Sequence, residues 1–130
     1  MDKTLMVRKV VAMARGIVVL DENVSGMEPE LNNRNIRVIP IPKGTDDEVI
    51  KKHYLPGRII ITSNSCHFVD DASSYEYGII ALDKIKFKDF KFLASIVSNA
   101  FIREDLWSKA HGFIIELDDR GNGKPRDLTI

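Results

Sequence analysis

Four groups of oxygen-bearing side chains stand out along the chain: Asp21-Glu22-Asn23, Asp46-Asp47-Glu48, Thr62-Ser63-Asn64-Ser65 and Asp70-Asp71. The first and third directly follow continuous apolar runs, and the second opens a helical pattern. If those runs are parallel strands, the groups converge at one rim of the sheet, where such sheets bind ligands. Carboxylates gathered there are what a hard cation such as Mg²⁺ needs: oxygen ligands, retained water and charge to offset dehydration. A metal held at that rim would activate water for phosphodiester cleavage. Asp and Asn also end strands and cap helices, because their side chains bond the local backbone. Taken singly, each of these residues has that structural alternative. Asp21, placed straight after a buried run, is the best placed for chemistry.

The elements that must position these groups alternate between strands and helices. Lys3 to Ala14 carries Leu5, Val7, Val10, Val11 and Ala14 near helical spacing, with Gly16 as a stop. Ile17 to Leu20 is a short continuous apolar run, as expected of a strand buried on both faces. Ser25 to Asn33 is a short helix with Ser25 as candidate cap and Pro29 in its first turn. Ile36 to Ile41 is a second strand ended by Pro40 and Pro42. Thr45 then caps a helix that runs to Tyr54, with Asp46, Asp47 and Glu48 at its positive end, and Pro56-Gly57 breaks it. Arg58 to Thr62 and Gly78 to Leu82 are further buried strands, separated by a polar loop or short helix over Asn64 to Asp71. Phe87 to Ile102 is the clearest amphipathic helix. Glu104 to Lys109 continues it or forms a second short helix, Gly112 to Leu117 is a fifth strand, and Asp127 to Ile130 adds an edge strand. The alternation predicts an α/β domain with a mostly parallel sheet.

Composition limits the function classes. The 130 residues fit one domain, which buries about 70% of its unfolded surface without a disulfide or metal staple. Nineteen basic residues cancel nineteen acidic ones, so any nucleic-acid contact must come from a local patch rather than a global field. The lone Cys66 excludes an internal disulfide and a Cys-based zinc site, and fits a reducing compartment. Arg8, Lys9 and Arg15 interrupt the N-terminal apolar run, and no stretch approaches the roughly 20 apolar residues of a membrane span. The expectation is cytoplasmic, with no membrane partner.

Lys84, Lys86, Lys88 and Lys91 interleave with Phe87, Phe90 and Phe92, a pattern that would meet RNA phosphates and bases or form a solvated face over a buried aromatic stripe. Cys66-His67 raises a nucleophile pair, but adjacent residues rarely point at each other and no orienting acid is fixed beside them. His53 suits a helix end, where an imidazolium complements the dipole, and His111 a turn.

Three segments taken together carry a resemblance: Ile17 to Asn23, Gly44 to Ile50, and Gly57 to Asn64. In order and approximate spacing they resemble small bacterial PIN-like domains of the kind found as toxin nucleases in toxin–antitoxin pairs. The likeness covers roughly the first two thirds of the chain. It implies a three-layer α/β/α sandwich over residues 1–130, Mg²⁺- or Mn²⁺-dependent cleavage of RNA, and an antitoxin-like protein partner; a homo-oligomer is compatible with it. By position, Asp21 matches the acid after the first strand and is implied as a primary metal ligand. Asp47 or Glu48 would supply a second carboxylate, Asn64 would hold water or the scissile phosphate, and Asp70 would assist at the metal. Lys84, Lys86 and Lys88 are expected on the RNA side.

The third motif departs from the family pattern. Thr, any residue, Asp, any residue, Asp, Phe is expected, whereas the chain reads Thr62-Ser63-Asn64-Ser65-Cys66-His67-Phe68. Asn64 stands in for the first acid, the second is absent, and the segment is one residue longer. An amide offers a carbonyl oxygen but no charge, where one charge is worth several kcal/mol even at an effective dielectric of about 20. A non-catalytic module that kept the fold for protein or RNA binding is the alternative expectation. A phosphate-transfer receiver would share the acid after a buried strand, but wants a phosphorylatable Asp after a later one.

Overall fold

The computed structural model describes residues 16–86, 89–109 and 112–128. The helix expected over Lys3 to Ala14 lies outside them, as do Lys88 and His111. Six strands form one sheet: β1 (Ile17–Leu20), β2 (Arg37–Ile39), β3 (Ile59–Thr62), β4 (Gly78–Ala81), β5 (Phe113–Glu116) and β6 (Pro125–Asp127). Their order across the sheet is β2-β1-β3-β4-β5-β6. The first four pairings are parallel and β6 joins β5 antiparallel. The protein is therefore α/β with a mostly parallel sheet.

Uninterrupted apolar runs are buried on both faces. Val18, Leu20, Ile59, Ile61, Ile80, Phe113 and Ile115 belong to one core cluster, together with Met27 and Leu31. Val19, Ile60, Ile79, Ala81 and Ile114 belong to a second, with Ile50, Leu55, Phe68 and Tyr77. Residues alternate between clusters along each strand because successive side chains of a strand point to opposite faces. Gly78 is opposite Phe113 in register, and its missing Cβ leaves the space that the Phe113 ring occupies.

Among the described residues three α-helical segments accompany the sheet: α1 (Glu28–Asn32), α2 (Asp47–Val49) and α3 (Phe90–Arg103). Asp89 caps α3 by accepting from the Phe92 N–H, and Leu93, Ala94, Ile96, Val97, Ala100 and Phe101 form its buried face. Trp107 stacks on Phe101 at 4.0 Å between ring centroids, which settles it as a packing residue at the core's edge.

Several boundaries differ from expectation for local reasons. Ser25 does not cap the first helical segment. A 3₁₀ turn, Glu22–Met27, precedes α1, and Asp21 caps that turn by accepting from the Glu22 N–H. Thr45 does not cap α2; its hydroxyl donates to the Pro42 carbonyl, and Asp46 holds the cap position without a side-chain bond. Beyond α2 the chain widens into a π-helical turn, Ile50–Tyr54, rather than continuing as α-helix. The Asn64 to Asp71 stretch is two 3₁₀ turns, Ser65–His67 and Val69–Asp71. Asp105 takes a left-handed conformation and ends α3, so Leu106–Ser108 is a separate turn. The final strand begins at Pro125, two residues before Asp127. Its ladder is set by pairing to β5 rather than by any apolar run of its own.

Candidate functional site

The order of the strands reverses at β1, which lies between β2 and β3. The crevice beyond the carboxyl ends of strands at such a reversal is the favoured ligand position in open α/β sheets. A cleft of about 570 Å³ lies at the same end of the sheet, over β1 and β2 rather than over the reversal between β1 and β3. Its walls include Leu20, Ile39, Pro40 and Ile41 on the apolar side. Asp21, Glu22, Glu28 and Asp47 supply four carboxylates and Lys43 one ammonium. Prolines 40 and 42 end β2 and turn the chain over the cleft, which brings Gly44 and Thr45 into the wall and delivers Asp47 at the start of α2.

Asp21 is the best anchored of these acids. Its Oδ2 accepts from the Thr62 hydroxyl at 2.7 Å, and its Oδ1 accepts from the Glu22 N–H at 2.8 Å. Thr62 ends β3, is fully buried, and its hydroxyl also accepts from the Asn64 N–H at 2.9 Å. Thus the first and third sequence segments meet: Asp21 and the start of the Thr62-Ser63-Asn64 segment are joined through one hydroxyl. Asn64 itself is exposed and precedes the first 3₁₀ turn, with no side-chain cap bond there.

The second segment divides. Asp47 is half-buried, lines the cleft, and its Oδ2 is 3.4 Å from His67 Nδ1. Glu48 is exposed and lies 3.8 Å from the Lys51 ammonium. That ammonium also donates to Asp71 Oδ2 at 2.7 Å and sits 5.8 Å from the centre of the Phe68 ring. Asp70 is exposed in the second 3₁₀ turn, and its neighbour Asp71 is the acid that pairs. Asp21 and Asp47 therefore both line the cleft, whereas Glu48 faces Lys51 and does not line it. Among the described residues no group of three or more His, Cys, Asp or Glu side chains gathers closely enough to hold a metal ion.

Three participants escaped the sequence reading. Asp83 follows the apolar run Gly78 to Leu82, one residue beyond the end of β4, and accepts from both the Ser65 N–H and hydroxyl at 3.0 Å. The acid-after-a-buried-strand rule would have found it. Thr62 stands in the sequence only as part of a motif, and Lys51 carries no sequence signal, because Asp71 reaches it from another segment. Of the basic stretch, Lys84 is exposed and pairs with Glu116 at 3.0 Å, while the Lys86 N–H donates to Asp119. Cys66 is exposed beside His67, whose imidazole turns to Asp47.

Burial by itself would lower the Lys51 pKa, but the Asp71 hydrogen bond and the charges of Asp71, Glu48 and Asp47 outweigh it and hold the ammonium above its usual range. Burial first, then the charges of Asp71 and Glu48, push the Tyr77 phenol up as well; its hydroxyl donates to the Phe68 carbonyl. Both folded-state values exceed the unfolded ones. The stability they contribute is thus complete below about pH 10 and is lost as the pH rises further. Urea midpoints are expected to hold constant approaching that pH and fall above it. Tyr77→Phe should cost about 1 kcal/mol at neutral pH, from its lost hydrogen bond, yet decline less steeply in alkali. An equally steep decline in Tyr77→Phe would remove Tyr77 from this account.

The strand order and the placement of the cleft define an open α/β protein with an acidic crevice beyond β1 and β2. Comparison with protein-family models, with curated proteins and with solved structures gives no match. No helix among the described residues is long and apolar enough to cross a membrane.

Proposed function

We propose that the chain is a PIN-like domain of three α/β/α layers that acts as a Mg²⁺- or Mn²⁺-dependent endoribonuclease. The observation that carries this reading is the Asp21 carboxylate. A buried Thr62 hydroxyl fixes it at the reversal point of the sheet, and Asp47 lines the same cleft. Asp21 and Asp47 would hold the ion, and a bound divalent ion there supplies Lewis-acid polarisation of a phosphodiester. Glu48 and Asp70 stand outside this pair and add negative potential to the rim. Asn64, on the β3 side, offers an uncharged amide for a phosphate oxygen or water. The cleft's apolar wall of Ile39, Pro40 and Ile41 gives a sugar or base a dry surface. Lys84 and Lys86 would meet more distant phosphates, although Lys84 must leave Glu116 to do so.

A second reading is favoured by a specific observation: several polar side chains beside the cleft face protein partners or carry no charge. His67 faces Asp47, Lys51 compensates Glu48 and Asp71, and Asn64 carries none. In that reading the chain is an interaction or RNA-binding module, with an antitoxin-like protein or RNA as its partner, that retains the PIN-like frame without the chemistry. The topology is also one shared by receiver domains, but β3 ends on Thr62 and Asn64 without a phosphorylatable carboxylate.

Titration of the whole protein with Mg²⁺, followed by amide chemical shifts, separates the two. The nuclease reading expects shifts confined to residues around Asp21, Asp47 and Asn64, together with RNA cleavage that needs Mg²⁺ or Mn²⁺. Absence of both leaves the binding-module reading.

A further inference from the structure

We propose, resting on the reading that the cleft takes RNA, that the Lys43 ammonium is the phosphate contact of that cleft. The turn over residues 42–45 sets it on the wall, where it holds a phosphodiester beside the one that reacts. Lys43 acts in binding and orienting the strand and takes no part in breaking the bond.

The turn follows from its residues. Pro40 and Pro42 cannot donate to a ladder, so β2 ends at Ile39. The Thr45 N–H donates to the Pro42 carbonyl at 3.2 Å and closes a four-residue turn with Lys43 and Gly44 at its centre. Of these two only Gly44 has a positive φ, +82°, as a type II turn demands at its third position. Nothing lies within 4 Å of where a Gly44 Cβ would stand, so conformation rather than space calls for glycine there. The Thr45 hydroxyl donates to the same Pro42 carbonyl. Two donors on one oxygen fix the backbone that carries Lys43, and neither bond uses the Lys43 side chain.

Charge makes this lysine different from its neighbours. Lys51, Lys84 and Lys124 each hold a carboxylate. Lys43 forms no ion pair among the described residues, although four acids line the same cleft. Its charge can meet a phosphate oxygen without first losing a partner. An ion between Asp21 and Asp47 would offset those two acids, but Glu22 and Glu28 still repel a polyanion. Entry of the strand therefore needs a cation on the wall. Ile39, Pro40 and Ile41 precede Lys43 along that wall and give the attached sugar or base an apolar surface.

Lys43→Gln removes the charge and leaves the bonds of the turn in place. The readout is KM for cleavage of a fluorescein-labelled, mixed-sequence oligoribonucleotide in Mg²⁺, or Kd from the anisotropy of the same strand where no cleavage occurs, each across a series of KCl concentrations. Lys43→Gln is expected to raise KM or Kd about tenfold at low salt while kcat holds. The log–log salt slope should flatten by about 0.7, as expected when one phosphate contact to a single strand is lost. Lys43→Arg should restore both quantities, and Lys124→Gln, whose lysine faces Glu104, should match the parent. A merely structural lysine would alter stability and leave the slope alone. Parent-like affinity and slope in Lys43→Gln overturn the proposal, and Mg²⁺-dependent cleavage by that variant then leaves the nuclease reading standing. In a parent that binds RNA without cleaving it, the nuclease reading fails while the same change in Kd and slope supports Lys43. A parent that neither binds nor cleaves RNA overturns both.

Discussion

Asp21→Asn is expected to weaken Mn²⁺ or Mg²⁺ binding in the cleft at least ~100-fold and to lower metal-dependent RNA cleavage by a similar factor or more. The estimate is conservative. Disturbing groups that merely support metal ligands costs about 10–100-fold, and Asp21 is proposed as a ligand itself. A single pair of unit charges at about 4 Å is worth around 4 kcal/mol at an effective dielectric of 20, and a divalent ion doubles it. Asparagine has nearly the same shape, and its one amide oxygen can still accept from the Thr62 hydroxyl that now donates to Asp21 at 2.7 Å, losing only the exposed bond from the Glu22 N–H, worth about 1 kcal/mol. The fold should therefore survive while the charge is lost, which separates chemistry from stability. Glu48→Gln provides the contrast, because Glu48 faces Lys51 and not the cleft. It should change cleavage by less than about threefold, as expected for a screened surface charge. Isothermal titration with Mn²⁺ and a cleavage assay on both variants check this. Equal Mn²⁺ affinity in Asp21→Asn and parent would remove Asp21 from the metal site, and equal losses in the two variants would place Glu48 inside it.

What was legible in the sequence follows from which interactions are local. The runs Ile17 to Leu20, Arg58 to Thr62, Gly78 to Leu82 and Gly112 to Leu117 declare themselves as strands because each centres on consecutive apolar residues that are buried on both faces, with polar residues only toward the ends. Asp21 was legible for the same reason: the run ends on an acid, and the end of a parallel strand is where sites form. The caps were misjudged at Ser25 and Thr45. Several residues near a helix start can bond the backbone, and the choice depends on where the preceding chain arrives. Thr45 is drawn to the Pro42 carbonyl by the turn that the prolines impose. Lys51 was illegible because its partners are set by tertiary approach: Asp71 lies on another segment, and Phe68 supplies a wall that no helical spacing announces. The same holds for how the acids divide. Adjacent positions on a helix point about 100° apart, so Asp47 turns to the cleft and Glu48 away from it, and the register of that rotation is fixed only by packing.

Ile60→Ala and Ile61→Ala should each destabilise the protein by about 2–5 kcal/mol, although these neighbours point to opposite faces of β3. Both are fully buried. Ile60 stands between Val19 and Ile79 on the second cluster's face, and Ile61 between Leu20 and Ile80 on the first. A sheet with one wet face would lose stability at one of them and hardly at the other. Equal losses are the energetic signature of a layer on each side, which the proposed three-layer arrangement requires. Against a typical total of about 5–15 kcal/mol, either change takes a large share. Ile102→Ala on α3, 82% exposed, should stay within about 0.5 kcal/mol. The effect reaches function through β3, because the strand that carries Ile60 and Ile61 ends on Thr62, and Thr62 holds the Asp21 carboxylate. Milder Ile61→Val, at about 0.5–1.5 kcal/mol, should leave the folded protein's Mn²⁺ affinity unchanged at 25 °C. Urea unfolding followed by circular dichroism gives the stabilities. A loss below about 1 kcal/mol for either alanine variant would mean that its face of the sheet is not closed in solution, and that Asp21 rests on a less rigid strand than the proposed site needs.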